Sequence, residues 1–350
     1  MTRPKEGCTE TVFVTIGEKP AFPKRLYKAL NTRQNRRLKA MESENVFKKI
    51  LYPTDGSDPG LLAQELAILL AKKLESEVTV FHVVTHELMQ PHAKDYLLEG
   101  RTVAESPDAE PGAAVGGEMY FDTDNPTAPG AHYSERIDTE ITSIYRQQGE
   151  DIVADAMLTF KEEGVHADQK IVERKSVAEA VIEEAEREKY DLILMGRNAQ
   201  KQKEAHLGSV AYKVSRQSDI PVLVAGEKAA VKISKVLVPV DGSESSDNAL
   251  RYGAALSNKL NAALTLLHVQ ESHLFSLRPQ VSTAIGKGIL ADAAEKLKGT
   301  SFEQKLESGD PAKKISEIAE KENFDLIVMG GNGVSNHVLH YTMHSVLVVK

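Results

Sequence analysis

A chain of 350 residues, 41% of them apolar, is long enough to form two globular domains of ordinary size. Its net charge of −8 argues against binding to nucleic acid or to anionic membranes. Its single cysteine excludes an intrachain disulfide and a thiolate zinc cluster. Its lack of tryptophan argues against stacking platforms for single-stranded nucleic acid. No segment is apolar over the ~20 residues that span a bilayer, and no N-terminal stretch has the apolar core of a signal peptide, so we expect a cytoplasmic protein.

Residues 1–45 form a basic N-terminal arm that stands outside the rest of the pattern. Lys24–Lys39 contains seven Lys and Arg residues and no acid. A solvated, partly helical segment explains this composition, and a docking arm for an acidic segment or another partner is the alternative. Nucleic-acid contact has no motif to support it.

Four sequence blocks occur twice, in the same order, along the remaining chain. The first block is KILYPTDGS at residues 49–57, and it recurs as KVLVPVDGS at residues 235–243. The other three pairs are residues 78–83 with 264–269, 190–196 with 324–330, and 221–224 with 345–348. Four matches in one order indicate an internal duplication.

Each repeated block is a short apolar run rich in Val, Ile and Leu, which is typical of strands buried on both faces of a parallel sheet. Helical patterns lie between these runs, among them residues 177–189, 312–322 and 335–343. Alternating strands and helices predict an α/β fold of two doubly wound, open, five-stranded parallel sheets in tandem.

The two copies differ in length after their second strands. Asp55 and Gly196 are 141 positions apart, whereas Asp241 and Gly330 are only 89 positions apart. The excess maps to about residues 87–140, and its Pro-, Gly- and acid-rich composition predicts a flexible acidic insertion. We therefore expect domain 1 at 46–226, a linker at 226–230 and domain 2 at 231–350.

An aspartate ends the first strand of each copy, within the motif Pro-X-Asp-Gly-Ser. Open parallel sheets bind ligands beyond the carboxyl ends of their strands, where Asp55 or Asp241 can accept hydrogen bonds from a ribose or a base edge. Pro53, Thr54 and Val240 precede these aspartates, and the last two offer backbone groups to a ligand. The alternative is that Asp, Gly and Ser only form a turn and cap the next helix.

A second candidate element follows the fourth strand of the first copy. Met195-Gly196-Arg197 leads into a loop with Lys201 and Lys203, and Gly208-Ser209-Val210 then opens a predicted helix. Glycines admit a phosphate to the backbone, the helix N-terminus and the serine hydroxyl supply donors, and the three basic side chains supply positive charge. The alternative is a strand-end turn at Gly196 and a simple helix entry at Gly208.

The first and fourth strands and the glycine loop resemble the universal stress protein family over about residues 47–350, apart from the insertion. Family members that bind ATP carry Gly, two residues, Gly, nine residues and Gly-Ser/Thr after strand four. Here Ala199 stands at the middle glycine, and the segment to Gly208 is one residue shorter. The resemblance implies strand order 3-2-1-4-5 in each sheet, an adenine pocket lined by Val83, and pairing of the last strands, 222–224 with 346–348.

The glycine loop of the second copy is truncated. Gly330 and Gly333 keep the first interval of the family motif, but about a dozen residues are then missing. Alternatively, Gly333 is the remnant of the helix start after deletion of the loop. Together with Val240, Asp241 and Val269, these glycines predict a second, degenerate site that binds nucleotide poorly or not at all.

The resemblance implies a stress-response protein that binds ATP or AMP, with or without Mg²⁺, mainly in domain 1. A nucleotide-independent interaction or signalling module with an unidentified protein partner is the alternative, and a weak ATPase or phosphoryl-transfer enzyme is the third hypothesis. Pairing of the last strands would join the two domains within one chain, and homodimerisation is left open.

The histidines are weaker candidates for chemistry. His82 and His268 end the second strands, where a packing role is more common than catalysis. His337, His340 and His344 fall on one side of a predicted helix, but no convincing fourth ligand or carboxylate follows them, so we expect no metal site. No residue is assigned a catalytic role.

Overall fold

The computed structural model describes residues 46–85, 131–197, 207–227, 232–271, 279–297, 299–331 and 333–350. Residues 45–350 belong to one compact unit. Residues outside this description include the predicted basic arm at 1–45, residues 87–130 of the predicted insertion, most of the linker, and Ala199, Lys201 and Lys203.

The first half of the unit alternates five strands with four helices. In chain order they are β1 (Lys49–Pro53), α1 (Asp58–Leu74), β2 (Glu77–Val84), α2 (Ala131–Glu162), β3 (Ala167–Glu173), α3 (Val177–Arg187), β4 (Leu192–Gly196), α4 (Ser209–Gln217) and β5 (Val222–Ala225).

The second half repeats this order. Its elements are β6 (Lys235–Pro239), α5 (Glu244–Leu260), β7 (Ala263–Glu271), α6 (Pro279–Lys296), β8 (Phe302–Gly309), α7 (Pro311–Lys321), β9 (Leu326–Gly330), α8 (Gly333–Tyr341) and β10 (Ser345–Val349). Among the described residues, no helix is long and apolar enough to cross a membrane.

The ten strands form one continuous sheet in the order β3-β2-β1-β4-β5-β10-β9-β6-β7-β8. Each half therefore has the predicted strand order 3-2-1-4-5, with every pair inside a half parallel. The halves meet where β5 and β10 pair antiparallel, with Leu223 opposite Leu347, and Val222 and Val224 opposite Val348 and Val346. The predicted pairing of the last strands is confirmed.

Helices cover both faces of the sheet. Neighbouring residues of a strand point to opposite faces, and because most of the strands have apolar residues at neighbouring positions, both faces have apolar side chains to bury. Ile50 and Tyr52 of β1 belong to one apolar cluster, and Leu51 belongs to the other. Side chains of α1, α2, α5 and α6 fill the first cluster, and those of α3, α4, α7 and α8 fill the second. Each cluster draws on both halves of the chain, so the core is shared between them.

Serine residues cap the N-termini of α1 and α5, the helices that follow β1 and β6. The Ser57 hydroxyl accepts a hydrogen bond from the Gly60 amide at 3.3 Å, and Ser243 accepts one from the Ser246 amide at 3.2 Å. These are N-caps, which satisfy backbone donors that the helix leaves free. The predicted capping role of the Asp-Gly-Ser turns is therefore confirmed in both halves.

Three predicted boundaries were wrong. The insertion was expected to be flexible to residue 140, but residues 131–140 form the start of α2, and residues 131–148 contain neither Gly nor Pro to interrupt a helix. The helix predicted at 177–189 ends at Arg187, and Lys189 has a left-handed φ of 56° that a helix does not accommodate. The last helix, predicted at 335–343, spans Gly333–Tyr341, and just beyond its end the Thr342 hydroxyl accepts a hydrogen bond from the His344 amide at 3.2 Å.

Candidate functional site

A cavity of about 770 Å³ opens beyond the carboxyl ends of β1, β2 and β4, where the strand order reverses between β1 and β4. Five segments enclose it. They are the turn from β1 into α1, the end of β2, one face of α2, the start of α3, and the passage from β4 to α4. This volume is in the range of pockets for molecules of nucleotide size.

The structure brings together ten of the eleven residues predicted for the first site. Around this cavity lie Pro53, Thr54, Asp55, Val83, Met195, Gly196, Arg197, Gly208, Ser209 and Val210. The eleventh, Ala199, is outside the described residues.

Asp55 both forms the turn and faces the cavity. Its Oδ1 accepts hydrogen bonds from the Ser57 amide at 3.1 Å and the Ser57 hydroxyl at 2.6 Å. A carboxylate has about four lone-pair positions, so it can accept further bonds from a ligand. The turn-forming role and the binding role that the sequence offered as alternatives are therefore compatible at this residue.

His82 has a structural partner at the base of the cavity. Its Nδ1 lies 2.8 Å from the Thr54 carbonyl oxygen, which can only accept, so Nδ1 carries the proton. The ring also lies against Gly149 of α2, where an added Cβ would be 2.6 Å from His82 Cδ2. This contact brings α2 close to β2. His268 repeats both contacts, with the Val240 carbonyl at 2.7 Å and with Gly286 of α6.

Gly196 is required by packing at the end of β4. A Cβ at this position would lie 2.6 Å from the Pro59 carbonyl oxygen and 2.8 Å from the Gly60 amide nitrogen. The small residue therefore lets the end of β4 approach the first turn of α1. Gly196 also lines the cavity, so a contribution to ligand access remains a prediction.

The N-terminus of α4 borders the cavity. Gly208 is its N-cap and supplies no side-chain hydrogen bond to the helix, and Ser209 and Val210 follow it in the lining. The Gly208 amide itself donates to the Arg197 carbonyl at 2.9 Å. Backbone amides in the first turn of a helix, aligned with its dipole, favour an anion at this place.

Three basic side chains line the cavity: Lys175, Arg197 and Lys213. Arg197 is 1% exposed, and its Nη2 donates to the Leu339 carbonyl of α8, in the other half. Its Nε and Nη1 have no hydrogen-bond partner among the described residues. Burial lowers the pKa of Arg197, and the nearby Glu227 opposes this effect. An anion in the cavity would offset the cost of burying this charge.

Sequence reasoning missed the lining that α2 and α3 supply. These residues are Tyr145, Gln148, Gly149, Ile152, Lys175, Ser176, Val177 and Ala178. Ser176, a polar residue just before a helical pattern, was a detectable signal, because it caps α3 by accepting from the Glu179 amide. No comparable signal marked the lining residues of α2, because residues 131–140 at the start of that helix were assigned to the insertion.

A second cavity of about 530 Å³ lies at the equivalent place in the second half, beyond β6, β7 and β9. Val240, Asp241, Val269 and Gly330 line it, whereas Gly333 does not and instead begins α8. This agrees with the interpretation of Gly333 as part of a helix start after loop deletion.

Asp241 keeps its charge in the second cavity. Burial opposes ionisation of this carboxyl, but hydrogen bonds from Ser243 and Ser246 outweigh burial and lower the pKa of Asp241 below its ordinary value. The Ser243 amide donates to Oδ1 at 2.9 Å.

The C-terminal histidines do not share one environment. The ring of His340 lies 6.0 Å from that of Tyr212, and the buried His344 places its Nε2 at 3.3 Å from Glu320 Oε2. Among the described residues, no group of three or more His, Cys, Asp and Glu side chains is arranged to hold a metal ion.

Comparison with known proteins gives matches in both halves. Residues 47–226 and 232–350 match the model of the universal stress protein family. The stress response protein NhaX of Bacillus subtilis is 30% identical over 177 residues, which cover 50% of this chain and 96% of that protein. Universal stress protein Slr1230 of Synechocystis is 25% identical over 293 residues, covering 83% of this chain and 91% of that protein.

A solved structure has the same architecture over nearly its whole length. The universal stress protein from Archaeoglobus fulgidus aligns with a TM-score of 0.57 and 22% sequence identity, covering 87% of this chain and 98% of that one. At this identity, the likeness concerns the fold.

Proposed function

The chain belongs to the universal stress protein family, and on that premise we propose that its first cavity binds an adenine nucleotide, ATP or AMP, in the service of a stress response. One observation carries the proposal. Candidate residues predicted separately, some from the turn after β1 and some from the passage between β4 and α4, all line one cavity. The two segments are far apart in sequence and meet only through the parallel order of β1 and β4.

The chemistry of the lining fits a nucleotide. The Asp55 carboxylate suits ribose hydroxyls, and Val83 offers an apolar surface to the base. At the opposite side, Gly208 and Ser209 present the N-terminus of α4 to the phosphates. Arg197 adds a buried cation with two donor nitrogens, Nε and Nη1, that no described residue satisfies.

Equilibrium binding of fluorescently labelled ATP to the full chain, with and without Mg²⁺, tests the proposal. A Gly208→Val variant puts a branched side chain at the helix entry, and we expect it to weaken binding by at least about tenfold, or ~1.4 kcal/mol. Gly333→Val is the matched control at the start of α8, because no atom lies within 4 Å of a Cβ there. It should leave ATP binding unchanged.

Absence of saturable ATP or AMP binding by the wild-type chain would contradict the proposal and favour the nucleotide-independent interaction module. Equal loss of binding in both variants would also contradict it. Phosphate release from ATP above that of Ser209→Ala and Asp55→Ala variants would instead favour the weak ATPase.

A further inference from the structure

The second cavity has the same place in the fold as the first, but its lining has a different character. Three pairs of elements around the two cavities have equal lengths. α3 and α7 both have eleven residues, β4 and β9 both have five, and α4 and α8 both have nine. Positions in the two halves can therefore be compared directly.

Every Lys and Arg of the first cavity is lost at the equivalent position of the second. Lys175, which precedes the N-cap of α3, corresponds to Gly309 before the N-cap of α7. Arg197 follows β4, and Gly331 follows β9. Lys213, the fifth residue of α4, corresponds to His337 of α8.

No Lys or Arg is present among the described residues that line the second cavity, and two acids, Asp241 and Glu271, are present. The N-cap of α7 is itself a carboxylate, Asp310, which accepts from the Lys313 amide at 3.0 Å. Only two residues separate Gly330 from Gly333, whereas twelve separate Gly196 from Ser209. The charge and the short connection both disfavour a phosphate here.

Apolar residues make up most of the lining of the second cavity, although Ser246, His268, Gln270 and Ser282 also line it. Gly149 and Gly286 contact the equivalent His82 and His268, so α2 and α6 are in the same register, and Gln148 of the first cavity corresponds to Ile285 of the second. Ile285 and Val281 are 56% and 51% exposed although both line the cavity. The remaining apolar lining comprises Pro239, Val240, Leu267, Val269, Ile289, Pro311, Ile315, Met329 and Val334.

We propose that the second cavity binds an uncharged, largely apolar small molecule and excludes nucleotides. Its volume of about 530 Å³ is that of a site for a drug-sized molecule. The aliphatic walls supply the affinity through burial of apolar surface. The loss of every Lys and Arg from the lining, with Glu271 at the position of Thr85, disfavours anions. This site does not depend on nucleotide binding in the first cavity.

Two fluorescent probes with one aromatic skeleton test this proposal on the full chain. N-phenyl-1-naphthylamine is uncharged, and 8-anilino-1-naphthalenesulfonate carries an added sulfonate. We expect saturable binding of one molecule of the neutral probe per chain, unaffected by excess ATP, and at least about tenfold weaker binding of the sulfonate.

Substitutions locate the probe. Val281→Asp and Ile285→Asp add a charge to an already exposed side chain of α6, so the variants should fold, and each should weaken neutral-probe binding by at least about tenfold. Ile144→Asp is the matched control, because Ile144 is the equivalent of Val281 on α2, is also 51% exposed, and does not line the first cavity. It should bind the neutral probe as the wild type does.

Five results would overturn the proposal, four of them in the binding measurements. These four are no saturable binding of the neutral probe, equal affinity for the two probes, displacement by ATP, or an equal effect of Ile144→Asp. The fifth is that probe binding is lost as the chain dimerises, with dimerisation followed by analytical ultracentrifugation. That result would assign the apolar surface to a second copy of the chain.

Discussion

Gly196 illustrates how one residue meets two demands. The sequence associated it with phosphate access, and the structure places its α-carbon against the backbone of Pro59 and Gly60. Nothing in the one-dimensional pattern reports such a contact, because β4 and the first turn of α1 are more than a hundred residues apart. A glycine after a strand was predictable, but its packing partner was not.

Gly196→Ala should destabilise the chain by about 1–3 kcal/mol, because the new Cβ would overlap backbone atoms that cannot move without shifting α1. Urea unfolding followed by far-UV circular dichroism measures the change. Gly288→Ala on α6 is the control, since no atom lies within 4 Å of its Cβ, and it should stabilise the helix by roughly 0.5–1 kcal/mol. If Gly196→Ala left the free energy of unfolding unchanged, the packing role would be refuted.

Elements were predicted well where hydrophobic pattern and capping residues agreed. Ser57 and Ser243 marked helix starts that the structure contains, and the Val-rich runs became the buried strands. The start of α2 was missed because residues 131–140 directly follow the Pro-, Gly- and acid-rich segment and were assigned to the flexible insertion. Boundaries of this kind depend on packing against β2 and β3, which local sequence does not encode.

The junction between β5 and β10 should couple the two halves energetically. Leu223 and Leu347 face each other there, are 1% and 0% exposed, and lie in the same apolar cluster. Each Leu→Ala substitution should cost about 2–5 kcal/mol. In a double-mutant cycle, the pair should show a coupling of about 0.5–1 kcal/mol.

Leu223 with Leu264 of β7 provides the control cycle, because four strand spacings of ~4.8 Å separate β5 from β7 and the two effects should add. Additivity at Leu223 and Leu347 as well would mean that the junction contributes no specific pairing energy.

At the scale of the molecule, the sequence predicted two domains, and the structure unites them by one ten-stranded sheet. Both apolar clusters contain residues from each half, Phe47 stacks on Tyr252 at 5.5 Å, and Arg197 donates to the Leu339 carbonyl. The fold of each half was therefore accessible from the repeated blocks. The extent of the shared core was not, since it depends on tertiary contacts between side chains of both halves, which no local pattern reports.

A shared core predicts a single cooperative unfolding unit. Amide hydrogen exchange in β1 and β6 should report the same opening free energy, and Leu347→Ala should lower both values equally. Exchange measured by NMR or mass spectrometry at increasing urea concentrations checks this. A decrease confined to β6 would indicate that the halves open independently.

The antiparallel junction also affects how the two sites can change over evolutionary time. When identical chains associate about a twofold axis, any substitution appears in both partners at once, so a gain at one site is imposed on the other. Here each site is encoded by its own stretch of one gene, while the β5–β10 pairing keeps the twofold-like architecture intact. Selection can then retain positive charge at Lys175 and accept glycine at Gly309 without conflict.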